Sequence, residues 1–266
     1  MKIKMPSSYD VIGSKEKAVA IVEISDKFKG KEKKIAEEIL KRHKNVKSVL
    51  KKLSSRKGIF RTREYELLLG DKNTEVIHIE HGYRLKLDPR KVYFSSREGT
   101  ERQRIANEVK SGEIILVMFS GIASFPIAIA RKQPKVGKIV AVEINQEANK
   151  YALENVRINK VSHKIIPING DVKIVVPNLD TYFDRIIMPL PLEAYKFLEL
   201  AVKYLKAKGI IDLYFIGKSP DFFLEKEDLI KLTVDKLGKN MKILDKRLIL
   251  PYGPRFFKCL LEIFIY

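Results

Sequence analysis

From about Lys110 to the C-terminus, short apolar runs alternate with helix patterns, and this alternation constrains the chain more than any other feature. Ile114–Met118 reads as a strand, Ser124–Arg131 as a helix, Lys138–Val142 as a strand and Gln146–Asn159 as a helix. Strand patterns recur at Lys164–Ile168, Asp184–Met188 and Gly209–Phe215, with helices over Leu192–Lys206 and most of Asp221–Leu237. Repeated β-α-β order predicts a parallel, doubly wound α/β sheet, because a crossover helix is what returns the chain to start a parallel strand. Two final strands, Lys242–Leu250 and Phe256–Ile265, have no helix between them and predict a β-hairpin at the end of the chain.

The first part of the chain has a different pattern. Ala18–Ser25 reads as a strand, and Lys31–His43 places Ile35, Ala36, Ile39 and Leu40 on one helical face. Strands follow at Glu64–Leu69, Glu75–Glu80 and Arg84–Leu87, with turns at Gly70–Asn73 and His81-Gly82. These elements predict a small α+β domain with an antiparallel sheet over residues 1–105, ahead of the doubly wound domain at 106–266. Charge divides the same way. Lys and Arg outnumber Asp and Glu by 52 to 33, and of the net +19, +12 falls within residues 1–105. That excess suits a polyanion such as nucleic acid, or else a solvated Lys-rich surface. The single cysteine, Cys259, excludes a disulfide framework and a thiolate zinc site, and His43, His78, His81 and His163 form no ligand motif, so no metal is expected. The N-terminus lacks a signal-peptide apolar region and no run is long enough to span a membrane, so a soluble cytoplasmic chain is expected.

Ligands of doubly wound sheets bind at the carboxyl ends of the strands, near the switch point. After the first strand come Phe119-Ser120-Gly121-Ile122-Ala123, small residues that let a backbone approach a ligand or simply make a tight turn. Glu143-Ile144 follow the second strand. The carboxylate there accepts from ribose hydroxyls or serves the next helix start. Asp171-Val172 follow the third, where Asp accepts from an adenine amino group or caps a helix. Met188-Pro189-Leu190-Pro191 follow the fourth, leaving rigid carbonyl acceptors or a stiff turn. Taken in this order, the strand ends point to an S-adenosylmethionine site.

The chain resembles the archaeal and eukaryotic tRNA (guanine-37 N1) methyltransferases. The resemblance rests on SYDVIG (Ser8–Gly13), the Ile35–Leu50 segment, FRTRE (Phe60–Glu64), VYFSSREGTERQRIA (Val92–Ala106), MFSGIASF, VEIN, NGD and DRIIMPLP (Asp184–Pro191), and it runs over nearly the whole chain. It implies a class I methyltransferase sheet with a C-terminal hairpin, S-adenosyl-L-methionine as methyl donor, and the anticodon stem-loop of tRNA as substrate for a monomeric enzyme. Three departures stand out. Val117 takes the place of an Asp and Ala123 that of a Gly in the first motif, Pro189 replaces the Asn of the usual Asn-Leu-Pro turn, and the extra N-terminal domain of longer members is not expected here.

The resemblance also assigns roles. Glu101 matches the general base that removes the guanine N1 proton. Arg61 matches an arginine near O6, with Arg97 and the turn prolines Pro189 and Pro191 beside the reacting base. Phe119, Ser120, Gly121, Ala123, Glu143, Ile144, Asp171, Val172 and Met188 are expected around the cofactor. Arg63, Arg102, Lys41, Arg42, Lys44, Tyr252 and Arg255 are expected along the RNA. Without the resemblance, Arg97–Arg104 reads as an ordinary capped, ion-paired helix start. Three other activities remain in view: an aminocarboxypropyltransferase of wybutosine synthesis, a methyltransferase for a wyosine precursor, and a non-catalytic RNA-binding protein on a degenerate methyltransferase fold.

Overall fold

The structure, a computed structural model, describes residues 5–266 apart from Ser7 and Lys57. Its N-terminal unit has strands β1 (Tyr9–Gly13), β2 (Ala18–Val22), β3 (Val46–Lys52) and β4 (Tyr65–Gly70), paired in that order. Helix α1 (Glu32–Arg42) joins β2 to β3 and buries Ile35, Ala36 and Ile39 against the sheet, while its Lys and Glu side chains face out. That crossover makes β2 and β3 parallel, so the sheet is mixed and not antiparallel throughout. Strand β3 is one that the alternation does not predict, because Val49 and Lys52 fall on the wrong faces of it; the strand nevertheless buries Val46, Ser48, Val49 and Leu50.

Strands β5 (Val76–Glu80) and β6 (Tyr83–Leu87) form a separate hairpin, followed by α2 (Gly99–Glu108). The larger sheet contains β7 (Ile114–Met118), β8 (Lys138–Glu143), β9 (Ile165–Asn169), β10 (Phe183–Met188), β11 (Leu205–Lys218), β12 (Met241–Gly253) and β13 (Phe256–Ile265). Their spatial order is β12-β13-β11-β10-β7-β8-β9. The five strands from β11 to β9 are parallel, and β13 is antiparallel to both its neighbours. This is the doubly wound sheet with a terminal hairpin that the alternation predicts. The chain runs outward from β7 to β9 and returns to β10 beside β7, so the switch point lies between β7 and β10.

Helices α3 (Ser124–Lys132) and α4 (Gln146–Ile158) cover one face with α2, and α6 (Leu198–Tyr204) and α7 (Leu224–Lys236) pack with the core of the other. The helix expected over Leu192–Lys206 is shorter. A 3-10 turn at Ala194–Phe197 leads into α6, and Leu205 is already extended, pairing with Phe183. The apolar core beside α3 and α4 also takes in Ile12, Val19, Ile21 and Leu50 of the N-terminal unit. The small sheet is therefore packed against the large domain and not merely tethered to it.

Candidate active site

The turn after β7 is built from left-handed backbone. Phe119, Gly121 and Ala123 have φ of 56°, 58° and 64°, a conformation that costs a side-chain-bearing residue energy relative to Gly. Ala123 takes it as the residue preceding α3. The turn is held from the neighbouring strand: the Ser120 N–H donates to the Val142 carbonyl at 2.9 Å, and the Gly121 N–H to Glu143 Oε2 at 2.7 Å. Glu143 Oε1 accepts from the Asn145 N–H at 2.8 Å. One carboxylate thus joins two strand-end turns and keeps a free lone pair on each oxygen. Burial pushes the Glu143 carboxyl above its ordinary range, against the pull of those backbone donors. Beside it, Ser120 Oγ is buried and has no hydrogen-bond partner.

These turns line a cavity of about 570 Å³. Phe119, Ser120, Gly121, Glu143 and Ile144 are on its wall, as are Pro189, Leu190 and Pro191 after β10. Ala123, Val172 and Met188 are at most 2% exposed and belong to the apolar cores rather than the wall. Asp171 also stays off the wall. Its Oδ1 accepts from the Lys173 N–H at 2.8 Å and caps α5 (Val172–Val175), which leaves Oδ2 without a hydrogen bond among the described residues. The Leu190 carbonyl accepts the Ala194 N–H at 2.8 Å, so the proline turn also sets the following helical turn.

The N-terminal unit and the linker supply the other side of the cavity. Arg61, Arg63, Arg97 and Arg102 all line it. Arg97 is exposed and pairs with Asp10 at 2.7 Å. Arg102 lies deeper than its expected place along the RNA: it is 2% exposed, with Nε donating to Glu80 Oε1 at 2.8 Å and Nη2 to the Ser95 carbonyl at 3.0 Å. Its charge is neutralised inside the protein, where it fastens α2 to the β5–β6 hairpin. Glu80 is correspondingly held at about 2 despite its burial, by Arg102, His78 and Tyr83.

Glu101 is buried and not on the wall. Its carboxylate accepts from both Arg104 Nε and Nη2, at 2.9 and 2.7 Å, and from the Tyr214 hydroxyl at 2.6 Å. The Tyr214 ring lies beside the wall residues Phe125 and Lys258, so Glu101 stands one layer behind them. The carboxylate in the wall of the linker is Glu98, 5% exposed, bonded by Lys258 Nζ at 2.7 Å and the Tyr93 hydroxyl at 3.0 Å. Burial opposes its charge, but Lys258 and then Arg102 outweigh it and hold Glu98 below its ordinary range.

Glu98, Lys258, Tyr93 and Arg56 are wall residues that reading the sequence did not single out. Only Lys258 carried a local signal, as a lone cation in the apolar run of β13. Tyr252 lines the mouth and is half exposed, with Arg255 in the hairpin turn beyond it. Lys41, Arg42 and Lys44 are exposed near the end of α1, away from the wall, and Arg42 pairs with Glu38. Among the described residues no helix is long and apolar enough to cross a membrane.

A family model described as the TRM5/TYW2 methyltransferase domain matches residues 76–243, and one described as the TYW2 N-terminal domain matches residues 1–74. A Pyrococcus abyssi protein named tRNA (guanine(37)-N(1))-methyltransferase Trm5b is 40% identical over 251 residues, 94% of this chain and 72% of that one. A Saccharolobus solfataricus protein named tRNA 4-demethylwyosine(37)-methyltransferase Taw21 is 39% identical over 181 residues, 68% of each chain. A solved complex of aTrm5 with tRNALeu superposes with a TM-score of 0.84 at 37% identity, covering 98% of this chain and 72% of that one.

Proposed function

The chain belongs to the TRM5/TYW2 methyltransferase family, and on that premise we propose that it methylates N1 of guanosine 37 in tRNA with S-adenosylmethionine as donor. The observation that carries this reading is the cavity itself. It is lined both by the strand-end turns of the doubly wound sheet and by arginines of a basic N-terminal unit, which supports a small-molecule donor and a polyanion meeting in one space. The reading extends to a cytoplasmic enzyme that acts as a single chain on the anticodon stem-loop.

The residues present fit the cofactor. Ser120 Oγ is a buried hydroxyl without a partner, Glu143 keeps an acceptor lone pair on each oxygen, and both face the cavity from adjacent turns. Glu143 would hold the ribose hydroxyls, and Phe119–Gly121 the part of the cofactor nearest the β7 turn. When bound, the cofactor supplies an electrophilic methyl group. The protein's own task lies at the guanine. N1 carries a proton until a base removes it, and negative charge then develops on O6. Arg61, with no ion pair among the described residues, is placed in the wall to meet that charge. Glu101 is proposed as the proton acceptor. Both linker carboxylates are ion-paired, Glu101 with Arg104 and Glu98 with Lys258; the role goes to Glu101 on the family resemblance, and its Tyr214 and Arg104 bonds would have to open for it to meet the base. Pro189 and Pro191 fix the wall beside the base without adding N–H donors.

Incubation of unmodified tRNA transcript with labelled cofactor, followed by nucleoside analysis, tests this directly. Label in 1-methylguanosine is the expected result, and an aminocarboxypropyl adduct or an unlabelled product would overturn it. A second reading, methylation of a wyosine precursor at the same position, is favoured by one observation: the Taw21 relative is nearly as identical as Trm5b. Parallel reactions on tRNA carrying guanosine or 4-demethylwyosine at position 37 separate the two.

A further inference from the structure

Most cations on the cavity wall have acidic partners. Lys52 faces Asp10 and Glu23, Arg97 pairs with Asp10, Arg102 with Glu80, and Lys258 with Glu98. Among the described residues, the wall cations with no side-chain ion pair or hydrogen bond are Arg56, Arg61 and Arg63. All three come from one stretch between β3 and β4. Arg63 Nε is buried and unpartnered. The Arg56 guanidinium lies 3.7 Å from the centroid of the Tyr93 ring, so one face is covered while the N–H groups in its plane stay free. Burial lowers the Arg56 pKa; Tyr93, Tyr65 and Glu98 oppose the fall, and the positive charge of Arg63 adds to it. Two partly buried guanidiniums near each other, neither bonded to a carboxylate among the described residues, are a cost that an arriving oxyanion relieves.

We infer that Arg56 and Arg63 form a receptor for one phosphodiester of the RNA, next to the nucleotide whose base enters the cavity. The inference rests on the reading of the chain as a tRNA-modifying enzyme. A guanidinium presents a planar fork that matches two oxygens of a phosphate, and stacking on Tyr93 orients that of Arg56 in advance. The competing source of an oxyanion is the carboxylate of the cofactor, and position decides against it. Arg56 and Arg63 belong to the N-terminal unit, whereas Ser120 and Glu143 line the wall at the strand ends of the large sheet. The same stretch continues through Ile59 and Phe60, 65% and 45% exposed, at the mouth of the cavity. A polymer must pass that mouth to place one base inside. The receptor also leaves Arg61 free for the base itself, so backbone and base are gripped by neighbouring residues of one loop.

The test is binding of an anticodon stem-loop RNA to the full chain, with and without a neutral methylphosphonate at the linkage on either side of the target guanosine. At one of the two positions the neutral linkage should weaken binding about tenfold, and R56Q and R63Q should each weaken the native RNA to a similar extent. Combining variant and neutral linkage should add no further loss, because both delete the same contact. R56K and R63K keep the charge but lose the fork, and should fall between. Losses that multiply in the combination would overturn the inference. So would a tenfold loss of S-adenosylmethionine affinity by calorimetry with RNA binding unchanged, which would assign the pair to the cofactor. R63Q, which leaves the stacked Arg56 in place, keeps the test open if R56Q does not fold. Binding needs no turnover, so a failure to methylate guanosine would fail the functional reading without deciding this one.

Discussion

Glu101 lies behind Tyr214, while Glu98 occupies the wall, and substitution separates the two roles. Glu101→Gln removes a proton acceptor and leaves the cofactor turns untouched. Turnover at saturating substrates should fall by about 10² or more, with cofactor affinity unchanged. Glu98→Gln removes a charge already neutralised by Lys258, so its main effect should be on stability. Single-turnover methylation of both variants decides the matter: an undiminished rate in Glu101→Gln would exclude that residue as the base and leave Glu98 as the carboxylate in reach. Glu143 makes a separate prediction. Glu143→Ala deletes the proposed ribose acceptor and releases the N–H groups of Gly121 and Asn145. Cofactor affinity by calorimetry should drop about tenfold or more, the equivalent of ~1.5–3 kcal/mol for hydrogen bonds to a charged group. RNA binding in the same variant should not change, and an unaltered cofactor affinity would remove Glu143 from the site.

At the scale of elements, the β5–β6 hairpin is fixed to α4 by two buried asparagines that imitate a neighbouring strand. Asn155 accepts the Lys86 N–H at 2.6 Å and donates to the Lys86 carbonyl at 3.0 Å and the Ile122 carbonyl at 3.1 Å. Asn159 brackets Arg84 in the same way. Asn155→Ala would leave backbone groups buried and unpaired, so chemical denaturation should show a loss of about 3 kcal/mol. A loss under ~1 kcal/mol would mean that the hairpin is held by apolar packing alone. The large sheet carries its own sensitivity. Arg185 on β10 is 1% exposed and lies among Glu113, Asp212 and Glu262. Burial, together with the negative charges of Asp212 and Glu108, pushes Glu262 up to about 7. Its folded pKa lies above the unfolded value near 4.5, so the folded state binds the proton more tightly. The stabilisation that this provides is complete below about pH 4.5 and is lost as pH rises through 7. Glu262→Gln should flatten that part of the stability curve; parallel curves for the two proteins between pH 5 and 8 would contradict it.

What could be read in the sequence follows from which forces are local. The order of strands and helices after Lys110 was legible because each element shows its burial pattern within one window, whereas the spatial order of the strands comes from the structure. Strand β3 was not legible, since buried Val49 shares a face with Lys47 and Lys51 while Lys52 falls on the face of Val46, Ser48 and Leu50. At the strand ends, residue type picked out Glu143 and Asp171 but not the backbone N–H groups they bond, those of Gly121, Asn145 and Lys173. The Glu98–Lys258 pair joins residues 160 apart, and Arg56 meets Tyr93 only once the two units pack. Such partners are set by tertiary geometry, so no local pattern announces them. The left-handed backbone at Ala123, φ 64°, is a conformation that favours glycine, and no local pattern marks it in the sequence.

For the molecule as a whole, the distribution of charge decides how it should meet RNA. Of the net +19, +12 lies in residues 1–105, while the later 161 residues hold +7. The cations of the cavity mouth and those at the end of α1 both belong to this basic part, yet only the former line the cavity. If the mouth and α1 together neutralise about four phosphates of a single-stranded loop, the slope of log affinity against log salt is about −0.7 per contact, or roughly −2.8. Raising salt from 50 to 200 mM should then weaken tRNA binding about 50-fold. Cofactor binding uses the turns of the large sheet and should change little over the same range. Lys41 and Lys44 are exposed and unpaired by any acidic side chain among the described residues, whereas Arg42 is engaged by Glu38. The double substitution Lys41→Glu, Lys44→Glu should therefore reduce the slope by about 1.4, two contacts' worth, without altering cofactor affinity. Titrations at four salt concentrations measure both slopes. An unchanged slope in the double variant would confine the RNA footprint to the mouth of the cavity, and an affinity flat with salt in the parent chain would deny the basic unit its role.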